Sequence, residues 1–200
     1  MREIIVEGLR LIVPDTVYPP AEDSALMVRS LRQLDLRGKI VLDVGTGTGV
    51  LAIAAALAGA ERVIATDINP SSRMAVEGNS SRYSVVVEFR IGDLFEPVQG
   101  ETFDVVLFNP PYLPEEPYPN DYASLAWAGG LPRGRRLIDR FLAGLREHMN
   151  PNGLALLLQT ENNGLEETFA RASATRLWAL PWQSTKVAFD RLWVLKITCF

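Results

Sequence analysis

Four consecutive residues near the middle of the sequence, Asn109-Pro110-Pro111-Tyr112, combine residue types that suit chemistry on a planar nitrogen. Proline fixes φ and keeps the preceding residue extended, so two prolines in series make a stiff loop. The side-chain oxygen of Asn109 and the backbone carbonyl of Pro110 can each accept one hydrogen of an NH₂ group. Tyr112 offers a flat ring on which an amide or a base can stack. Acceptors fixed in advance would stabilise positive charge that develops on such a nitrogen during group transfer.

A second segment suited to ligand binding is the glycine run Gly45-Thr46-Gly47-Thr48-Gly49, which follows a short apolar stretch. Glycines at a strand-to-helix turn allow a sharp bend and a close approach of the backbone to a ligand. A dinucleotide-binding loop follows the pattern G-x-G-x-x-G/A, which would require Gly or Ala at position 50. That position is Val50, and the third glycine comes one residue earlier. The run therefore favours a different cofactor, and a plain turn without a ligand is the alternative.

Three aspartates follow strand-like segments at positions where they can surround one ligand. Asp43 precedes the glycine run and can face an amino group. Asp67 lies about twenty residues after the glycines, where a carboxylate can accept both hydroxyls of a ribose. Asp93, followed by Leu94, is positioned to bind adenine, and a helix cap is its alternative role. Three acids suit a cofactor that is cationic at a sulfonium and at an amine, and they would repel a pyrophosphate. The pattern favours S-adenosylmethionine over NAD.

Alternating strand-like and helix-like segments position these residues. The predicted strands are 39–43, 62–66, 84–89, 103–108 and 154–159, and the predicted helices are 21–34, 51–57, 70–76 and 136–149. Such alternation predicts an open, mostly parallel sheet that is covered by helices on both faces. Residues 176–182 and 191–199 are both strand-like and predict an antiparallel hairpin at one edge of the sheet. A smaller hairpin is predicted over residues 4–13.

Length and composition limit the functional classes. The chain has 200 residues, of which 48% are hydrophobic, so we expect a single domain over residues 1–200 with a substantial core. The formal net charge of -4 disfavours nucleic acid as a partner, because little counterion release would accompany binding. Charged residues interrupt the N-terminal apolar residues, and the apolar stretch 50–60 is too short to span a bilayer. Together with a single cysteine, Cys199, these features predict a soluble, cytoplasmic protein.

The proline-rich loop, the glycine run and two further blocks resemble one family of enzymes. The chain resembles the Asn-Pro-Pro-Tyr methyltransferases, and more narrowly the short HemK-like branch of archaeal and eukaryotic release-factor glutamine methyltransferases. Val17-Tyr18-Pro19-Pro20-Ala21-Glu22-Asp23-Ser24 resembles the N-terminal cofactor motif of that branch. Residues 126–130 and 138–141 resemble a second block that follows the catalytic loop. The resemblance covers almost the whole chain.

The resemblance implies a fold, a reaction and a set of site residues. The implied fold is the Rossmann-like, seven-stranded α/β methyltransferase fold. The implied reaction is N5-methylation of the glutamine in the Gly-Gly-Gln motif of a peptide chain release factor, with S-adenosylmethionine as cofactor and no metal ion. Asn109-Pro110-Pro111-Tyr112 is the implied catalytic loop. The implied cofactor-binding residues are Tyr18, Ser24, Asp43, Gly45, Gly47, Gly49, Asp67, Asp93, Leu94 and Asn109.

Two features point to macromolecular partners. Short members of this family can use a small zinc-binding activator protein that adds a strand at a sheet edge. The apolar segment 84–89 is the third strand of the sheet, which lies at an edge in the family, and we expect the activator to pair there. Four arginines form a basic cluster that is either a solvated face or a grip on an acidic patch of the substrate. They are Arg133, Arg135, Arg136 and Arg140.

Three other functions share parts of this pattern. An adenine-N6 nucleic-acid methyltransferase uses the same loop chemistry, but it must capture a base and grip the backbone. The sequence has neither a recognition insertion nor a net basic charge. A protein lysine methyltransferase is also compatible, because the fold tolerates other acceptors. A binding module that kept only a cofactor pocket would be indicated by a changed Asn109 or a broken glycine run, and both are intact.

Overall fold

A computed structural model describes residues 1–118, 121–122, 124–188 and 190–200. The strands are β1 (Arg2–Val6), β2 (Leu9–Val13), β3 (Ile40–Val44), β4 (Arg62–Asp67), β5 (Glu88–Ile91), β6 (Phe103–Phe108), β7 (Met149–Thr160), β8 (Leu177–Val187) and β9 (Asp190–Cys199). The α-helices are α1 (Glu22–Leu31), α2 (Val50–Leu57), α3 (Ser71–Arg82), α4 (Arg136–Leu145) and α5 (Leu165–Ala174). β1 and β2 form a separate antiparallel hairpin, and the other strands form one sheet in the order β5-β4-β3-β6-β7-β9-β8.

The main sheet is mostly parallel, as the sequence predicts. Neighbouring strands among β5, β4, β3, β6 and β7 pair in parallel, with α2, α3 and α4 in three of the four connections along the chain. β9 is antiparallel to both β7 and β8, so the predicted C-terminal hairpin completes the sheet at the β8 edge. This topology confirms the seven-stranded, Rossmann-like α/β fold. It also brings the carboxyl ends of β3, β4 and β6 to the same edge, where ligands bind in open α/β sheets.

The two faces of the sheet pack against different helices. Successive residues of β3 alternate between the two cores, so Val41 belongs to one hydrophobic cluster and Leu42 to the other. The first cluster includes residues of α1, α2 and the β1–β2 hairpin, and the second includes residues of α4 and α5. The small alanine side chains of α2 are buried against the sheet, which keeps the start of this helix close to β3. In the described part of the chain, no helix is long and apolar enough to cross a membrane.

The predicted bounds of the third strand are wrong. The segment 84–89 was expected to be extended, but β5 begins at Glu88. The turn after α3 extends further than predicted, because the Val85 N–H donates to the Ser80 carbonyl at 3.1 Å and Ser84 has a φ of 53°. Val86 is 87% exposed. The edge position of the strand is nevertheless confirmed, since β5 ends the sheet order.

Several helices also differ from the sequence-based expectation. α1 ends at Leu31 rather than at residue 34, and α3 continues to Arg82, beyond the predicted residue 76. α4 ends at Leu145, and a short 3-10 turn follows it before β7, whereas the predicted helix ran to Met149. α5 was not predicted. Its buried residues are Thr168 and Ala172, which form too weak an apolar stripe to give a clear helical periodicity.

Candidate active site

A pocket lies at the carboxyl ends of β3, β4 and β6, and most of the predicted site residues line it. The predicted residues that line the pocket are Tyr18, Ser24, Asp43, Gly45, Gly47, Asp67, Asp93, Leu94, Asn109, Pro110 and Pro111. Gly49 and Tyr112 lie next to this set and are not part of the pocket wall. Side chains from the loop after β6 close another side of the pocket, among them Tyr122 and Leu125. One crevice therefore joins the glycine run to the proline-rich loop.

The Asn109 amide is fixed by its nitrogen, and its oxygen is left without a partner. Asn109 Nδ2 donates to Asp23 Oδ2 at 3.1 Å and approaches Ser24 Oγ at 3.5 Å. Asp23 and Ser24 are both buried at the start of α1, and Asp23 Oδ1 accepts from the Ser24 backbone N–H at 2.6 Å. Asn109 Oδ1 is buried and has no hydrogen-bond partner among the described residues. The arrangement leaves an acceptor ready for an N–H group at the pocket.

Tyr112 lies behind the loop rather than on the pocket surface. Its ring packs against the first hydrophobic cluster, and its backbone carbonyl accepts from Asn163 Nδ2 at 2.8 Å. Burial, together with the negative charge of Asp23, raises the pKa of the Tyr112 hydroxyl well above its usual range. This hydroxyl therefore stays protonated and can donate a hydrogen bond. The stacking role for the ring stays a prediction.

The glycine run contacts the carboxylate of Asp67 through a backbone N–H. Gly45 and Gly47 have φ values of 63° and 54°, in the left-handed region that favours glycine. Asp67 Oδ2 accepts from the Gly47 N–H at 2.7 Å, and Oδ1 accepts from the Asn69 N–H at 2.8 Å. Burial raises the pKa of Asp67, while these two backbone hydrogen bonds act in the opposite direction. Each carboxylate oxygen keeps a lone pair that can accept a ligand hydroxyl.

Gly49 has a different role from the other two glycines. It precedes α2 with a φ of 83°, and a Cβ at this position would lie 3.2 Å from Val76 Cγ2 in α3. The absence of a side chain thus permits both the left-handed turn and the close packing of α2 against α3. The structure assigns Gly49 to the scaffold of the pocket, whereas contact with a cofactor stays a prediction.

Asp43 is the most buried acid of the pocket, with 1% of its surface exposed. Its Oδ2 accepts from the Thr46 hydroxyl at 2.6 Å and from the Ala52 N–H at 3.1 Å. Oδ1 has no partner among the described residues. Burial raises the pKa of Asp43 to about 7, although the hydrogen bonds from Thr46 and Ala52 act in the opposite direction. A cationic group that reached Oδ1 would satisfy this atom and stabilise the charged form.

One arginine of the basic cluster, Arg140, forms an ion pair with Asp93. The Oδ2 atom of Asp93 lies 2.8 Å from the guanidinium, which leaves Oδ1 for a ligand. Leu94 follows with a φ of 49° and packs against the second hydrophobic cluster.

The other three arginines of the basic cluster also have partners within the chain. Arg133 pairs with Glu167, Arg135 with Asp139 and Arg136 with Glu116. Arg135 is buried, so the cluster is neither a uniformly solvated face nor a row of unpaired cations.

The second block of the sequence packs directly on the backbone of the proline-rich loop. Leu113 bridges to Ala128, and the Leu113 N–H donates to the Trp127 carbonyl at 2.9 Å. A Cβ at Gly129 would lie 2.7 Å from the Pro111 carbonyl oxygen, which is closer than real Cβ contacts. Glycine is therefore required at position 129 for this approach.

Asp23 is a site residue that the sequence analysis did not single out. Only its position inside the block 17–24, beside Ser24, could have indicated it. An acid in the first turn of a helix has a sufficient local explanation in the helix dipole. Its contact with Asn109 spans 86 residues of sequence and becomes visible only in the folded chain.

Taken together, this sheet order, the glycine run after β3 and the proline-rich loop after β6 define a Rossmann-like, S-adenosylmethionine-dependent methyltransferase. Comparison with known proteins narrows the class. Residues 22–110 match the family model of the ribosomal protein L11 methyltransferase (PrmA), a match that ends inside the proline-rich loop. Over 194 residues the chain is 37% identical to a Methanocaldococcus jannaschii protein assigned as a protein N5-glutamine methyltransferase, with 96% of each chain covered.

Two further relatives are also methyltransferases. The chain is 32% identical over 192 residues to human methyltransferase HEMK2, covering 91% of this chain and 89% of that one. Among solved structures, Mtq2 in the Mtq2–Trm112 complex of E. cuniculi superposes with a TM-score of 0.74 at 29% identity. That superposition covers 92% of this chain and 99% of the other. The chain belongs to the family of protein N5-glutamine methyltransferases.

Proposed function

We propose that this protein methylates the side-chain amide nitrogen of the glutamine in the Gly-Gly-Gln motif of a peptide chain release factor. The observation that carries the proposal is the Asn109 amide, whose nitrogen is fixed by Asp23 while its buried oxygen has no partner among the described residues. An unpaired buried acceptor costs about 1–3 kcal/mol, which an incoming N–H group would recover. The Mtq2–Trm112 complex is described as responsible for methylation of the termination factor eRF1, which supports this substrate class.

The pocket residues fit S-adenosylmethionine as cofactor. In this proposal Asp67 accepts the ribose hydroxyls, Asp43 Oδ1 accepts from the amino group, and Asp93 with Leu94 contacts adenine. Tyr18 and Ser24 line the pocket from the N-terminal side, and Gly45 and Gly47 provide the backbone wall. The orphaned, buried Asp43 Oδ1 supports this fit, because a cationic amine would satisfy it. When bound, this cofactor supplies an electrophilic methyl group on a sulfonium.

The residues of the chain contribute orientation and charge stabilisation to the transfer. Asn109 Oδ1 and the Pro110 carbonyl would each accept one N–H of the glutamine amide, which would fix the orientation of its nitrogen. The cofactor would supply the methyl group and keep the bonding electron pair on sulfur, so positive charge would develop on the glutamine nitrogen as it gains the methyl group. The two acceptors stabilise that charge because they are already in position. The excess proton then leaves to water, so the reaction requires no strong base.

The test is mass spectrometry of a release factor incubated with the enzyme and S-adenosylmethionine. One added methyl group on the Gly-Gly-Gln glutamine is the expected result, and a factor with that glutamine replaced by asparagine is the matched control. Methylation of naked duplex DNA with the release factor untouched would instead favour the adenine-N6 alternative. A methyl group found on lysine, in the factor or in another protein, would favour the lysine alternative.

We also propose that a small activator protein covers the β5 edge of the sheet. Mtq2 is found in a complex with Trm112, which supports a partner of that kind, and we expect it to bind zinc. β5 ends the sheet, and exposed apolar side chains surround it: Ile91 on the strand, Val86 before it, and Met74 on α3, which packs against β5. An exposed strand edge of this kind favours pairing with another chain unless it is covered.

The remaining expectations concern organisation and location. We propose that residues 1–200 act as a single methyltransferase domain, since the site draws on residues from Val17 to Leu137 and both hydrophobic clusters pack on the same sheet. We further propose that the protein works in the cytoplasm, where release factors act.

A further inference from the structure

Asn163 connects the loop after β7 to the catalytic loop after β6. It lies in the 3-10 turn Glu161–Asn163, and 1% of its surface is exposed. Its Nδ2 donates to the backbone carbonyl of Tyr112 at 2.8 Å and to that of Arg133 at 2.6 Å. Its Oδ1 accepts from the backbone N–H of Thr160 at 2.7 Å and from the Thr160 hydroxyl at 3.1 Å. All the hydrogen-bonding capacity of the amide is therefore in use.

The chemistry of these partners fixes the orientation of the amide. The carbonyls of Tyr112 and Arg133 can only accept, and the Thr160 backbone N–H can only donate. Exchanging Oδ1 and Nδ2 would therefore break those hydrogen bonds, so the orientation follows from the network. The Asn163 backbone carbonyl is held as well, because it accepts from the buried guanidinium of Arg135 at 2.7 Å. Side chain and backbone of Asn163 are thus fixed from two directions.

The catalytic loop has little room to move at the end that Asn163 holds. A Cβ at Gly134 would overlap the Tyr112 carbonyl oxygen and would lie 3.0 Å from Asn163 Nδ2. The backbone around Gly134 therefore packs directly against the Tyr112 carbonyl and against the Asn163 amide. At the opposite end of the loop, Asp23 holds the side chain of Asn109. Side chains from two different parts of the chain thus clamp the first and last residues of this loop.

We propose that Asn163 is a positioning residue for methyl transfer. By fixing the Tyr112 carbonyl, it sets where the Pro110 carbonyl lies relative to Asn109 Oδ1. The inference rests on the proposed function, in which these two oxygens accept the N–H groups of the substrate amide. A displacement of about 1 Å among reacting groups can cost about a hundredfold in rate. Asn163 is not among the residues that line the pocket, so we expect cofactor binding to be largely independent of it.

The variant Asn163→Asp separates this role from the capping of the turn. Aspartate keeps oxygens that can accept from Thr160, but it cannot donate to the carbonyls of Tyr112 and Arg133. Thr160→Val removes a capping hydrogen bond and leaves the donors of Asn163 in place. Asn162→Ala is the matched control, because this neighbouring asparagine makes an exposed hydrogen bond to Asp190 at 2.9 Å.

We expect Asn163→Asp to lower kcat at least about tenfold, while the dissociation constant of S-adenosylmethionine stays within about twofold of the wild-type value. Thr160→Val and Asn162→Ala should keep kcat within about twofold, in assays well below each melting temperature. Amide hydrogen exchange gives a second readout that needs no substrate. Exchange at Leu113, the residue after the catalytic loop, should accelerate in Asn163→Asp and stay unchanged in Thr160→Val.

Two results would overturn the inference. One is an Asn163→Asp enzyme with wild-type kcat and wild-type exchange at Leu113. The other is a Thr160→Val enzyme that loses as much kcat as Asn163→Asp at the same loss of melting temperature, which would mark the turn as merely structural. If the wild-type protein does not methylate a release factor, the proposed function fails on its own, and the exchange comparison still decides whether Asn163 fixes the loop at Tyr112.

Discussion

The carboxylate of Asp23 lies 3.1 Å from the amide nitrogen of Asn109, and this contact determines which way the Asn109 amide points. A carboxylate can only accept, so it must face the nitrogen, and the oxygen is then left for the pocket. An asparagine without such a partner could present either atom to a substrate. The acid at the start of α1 therefore selects the acceptor face of a residue that lies at the end of β6.

Asn109→Ala tests the acceptor itself. We expect turnover to fall by about a hundredfold or more, because the lost acceptor matters most as positive charge develops on the nitrogen. The dissociation constant of S-adenosylmethionine should change little. Single-turnover methylation of a release factor and calorimetric titration of the cofactor measure the two quantities separately. Full activity in this variant would refute the proposed mechanism.

Asp23→Ala tests the orientation of the acceptor. Without the carboxylate, the Asn109 amide can rotate, and we expect kcat to fall about tenfold, on the scale of a misplaced catalytic group. Asp23→Asn has one acceptor oxygen for two donors, Asn109 Nδ2 and the Ser24 N–H, so its activity should lie between those of wild type and Asp23→Ala. The neighbouring Glu22 is exposed, so Glu22→Ala is the matched control. Equal losses in Asp23→Ala and Glu22→Ala would show that the contact with Asn109 is irrelevant.

The sequence could predict the alternation of strands and helices, because β3, β4 and β6 are short, mainly apolar segments that are followed by glycine or polar residues. It could also predict that the glycine run and the proline-rich loop lie at one crevice, since their residue types are tied to local backbone geometry at the ends of strands. Contacts such as Asp23 with Asn109, or Asn163 with Tyr112, could not be predicted. They join residues that are 86 and 51 positions apart, and each partner also has a local role in a helix start or a turn. The start of β5 was predicted too early because a run of valines is typical of a strand. In the structure, the Val85 N–H instead donates to a carbonyl in the turn after α3.

Asp67→Ala tests whether the glycine run and Asp67 bind S-adenosylmethionine. We expect binding of S-adenosylmethionine to weaken by about 1–3 kcal/mol, the range for lost hydrogen bonds to a charged group. Asp67→Asn keeps one acceptor oxygen and should weaken binding less. Wild-type protein should bind S-adenosylmethionine and its demethylated product in calorimetry, and it should not bind NAD. Comparable affinity for NAD would contradict the assignment of this loop.

Asp43→Asn tests the buried carboxyl through its pH dependence. Burial raises the pKa of Asp43 from 3.8 to about 7, so the folded protein holds this proton more tightly than the unfolded chain. The contribution of Asp43 to stability is therefore full below about pH 4 and is lost as pH rises toward 7, by up to about 1.4 kcal/mol per pH unit. Asp43→Asn cannot ionise, so without cofactor its melting temperature should exceed that of wild type at pH 8 and approach it at pH 4.

The same substitution should weaken cofactor binding. The ionised carboxylate is the form that binds a cationic amine, so wild-type affinity for S-adenosylmethionine should rise with pH up to about 7 and then level off. Asn at position 43 removes that charge, and its affinity should be lower and nearly independent of pH in this range. Calorimetric titrations between pH 5.5 and 8.5 check both statements, at pH values spaced by about half a unit. An affinity in wild type that falls as pH rises from about 5.5 to about 7, where the amine of the cofactor stays protonated, would contradict the role of Asp43.

Val86→Asp tests the proposed partner at the β5 edge. Val86 is 87% exposed, so a charge there should leave the isolated fold unchanged and should weaken an apolar interface that forms beside β5. Leu180→Asp is the matched control, because Leu180 is 60% exposed on β8 at the opposite edge of the sheet.

The probe is a purified Trm112 homologue encoded by the same genome, and binding is measured by calorimetry. On addition of this partner, amides of residues 88–91 should exchange more slowly in wild type and in Leu180→Asp, and the effect should be reduced in Val86→Asp. If these amides are already fully protected in a verified monomer, or if Leu180→Asp weakens binding as much as Val86→Asp, the partner does not pair with this edge.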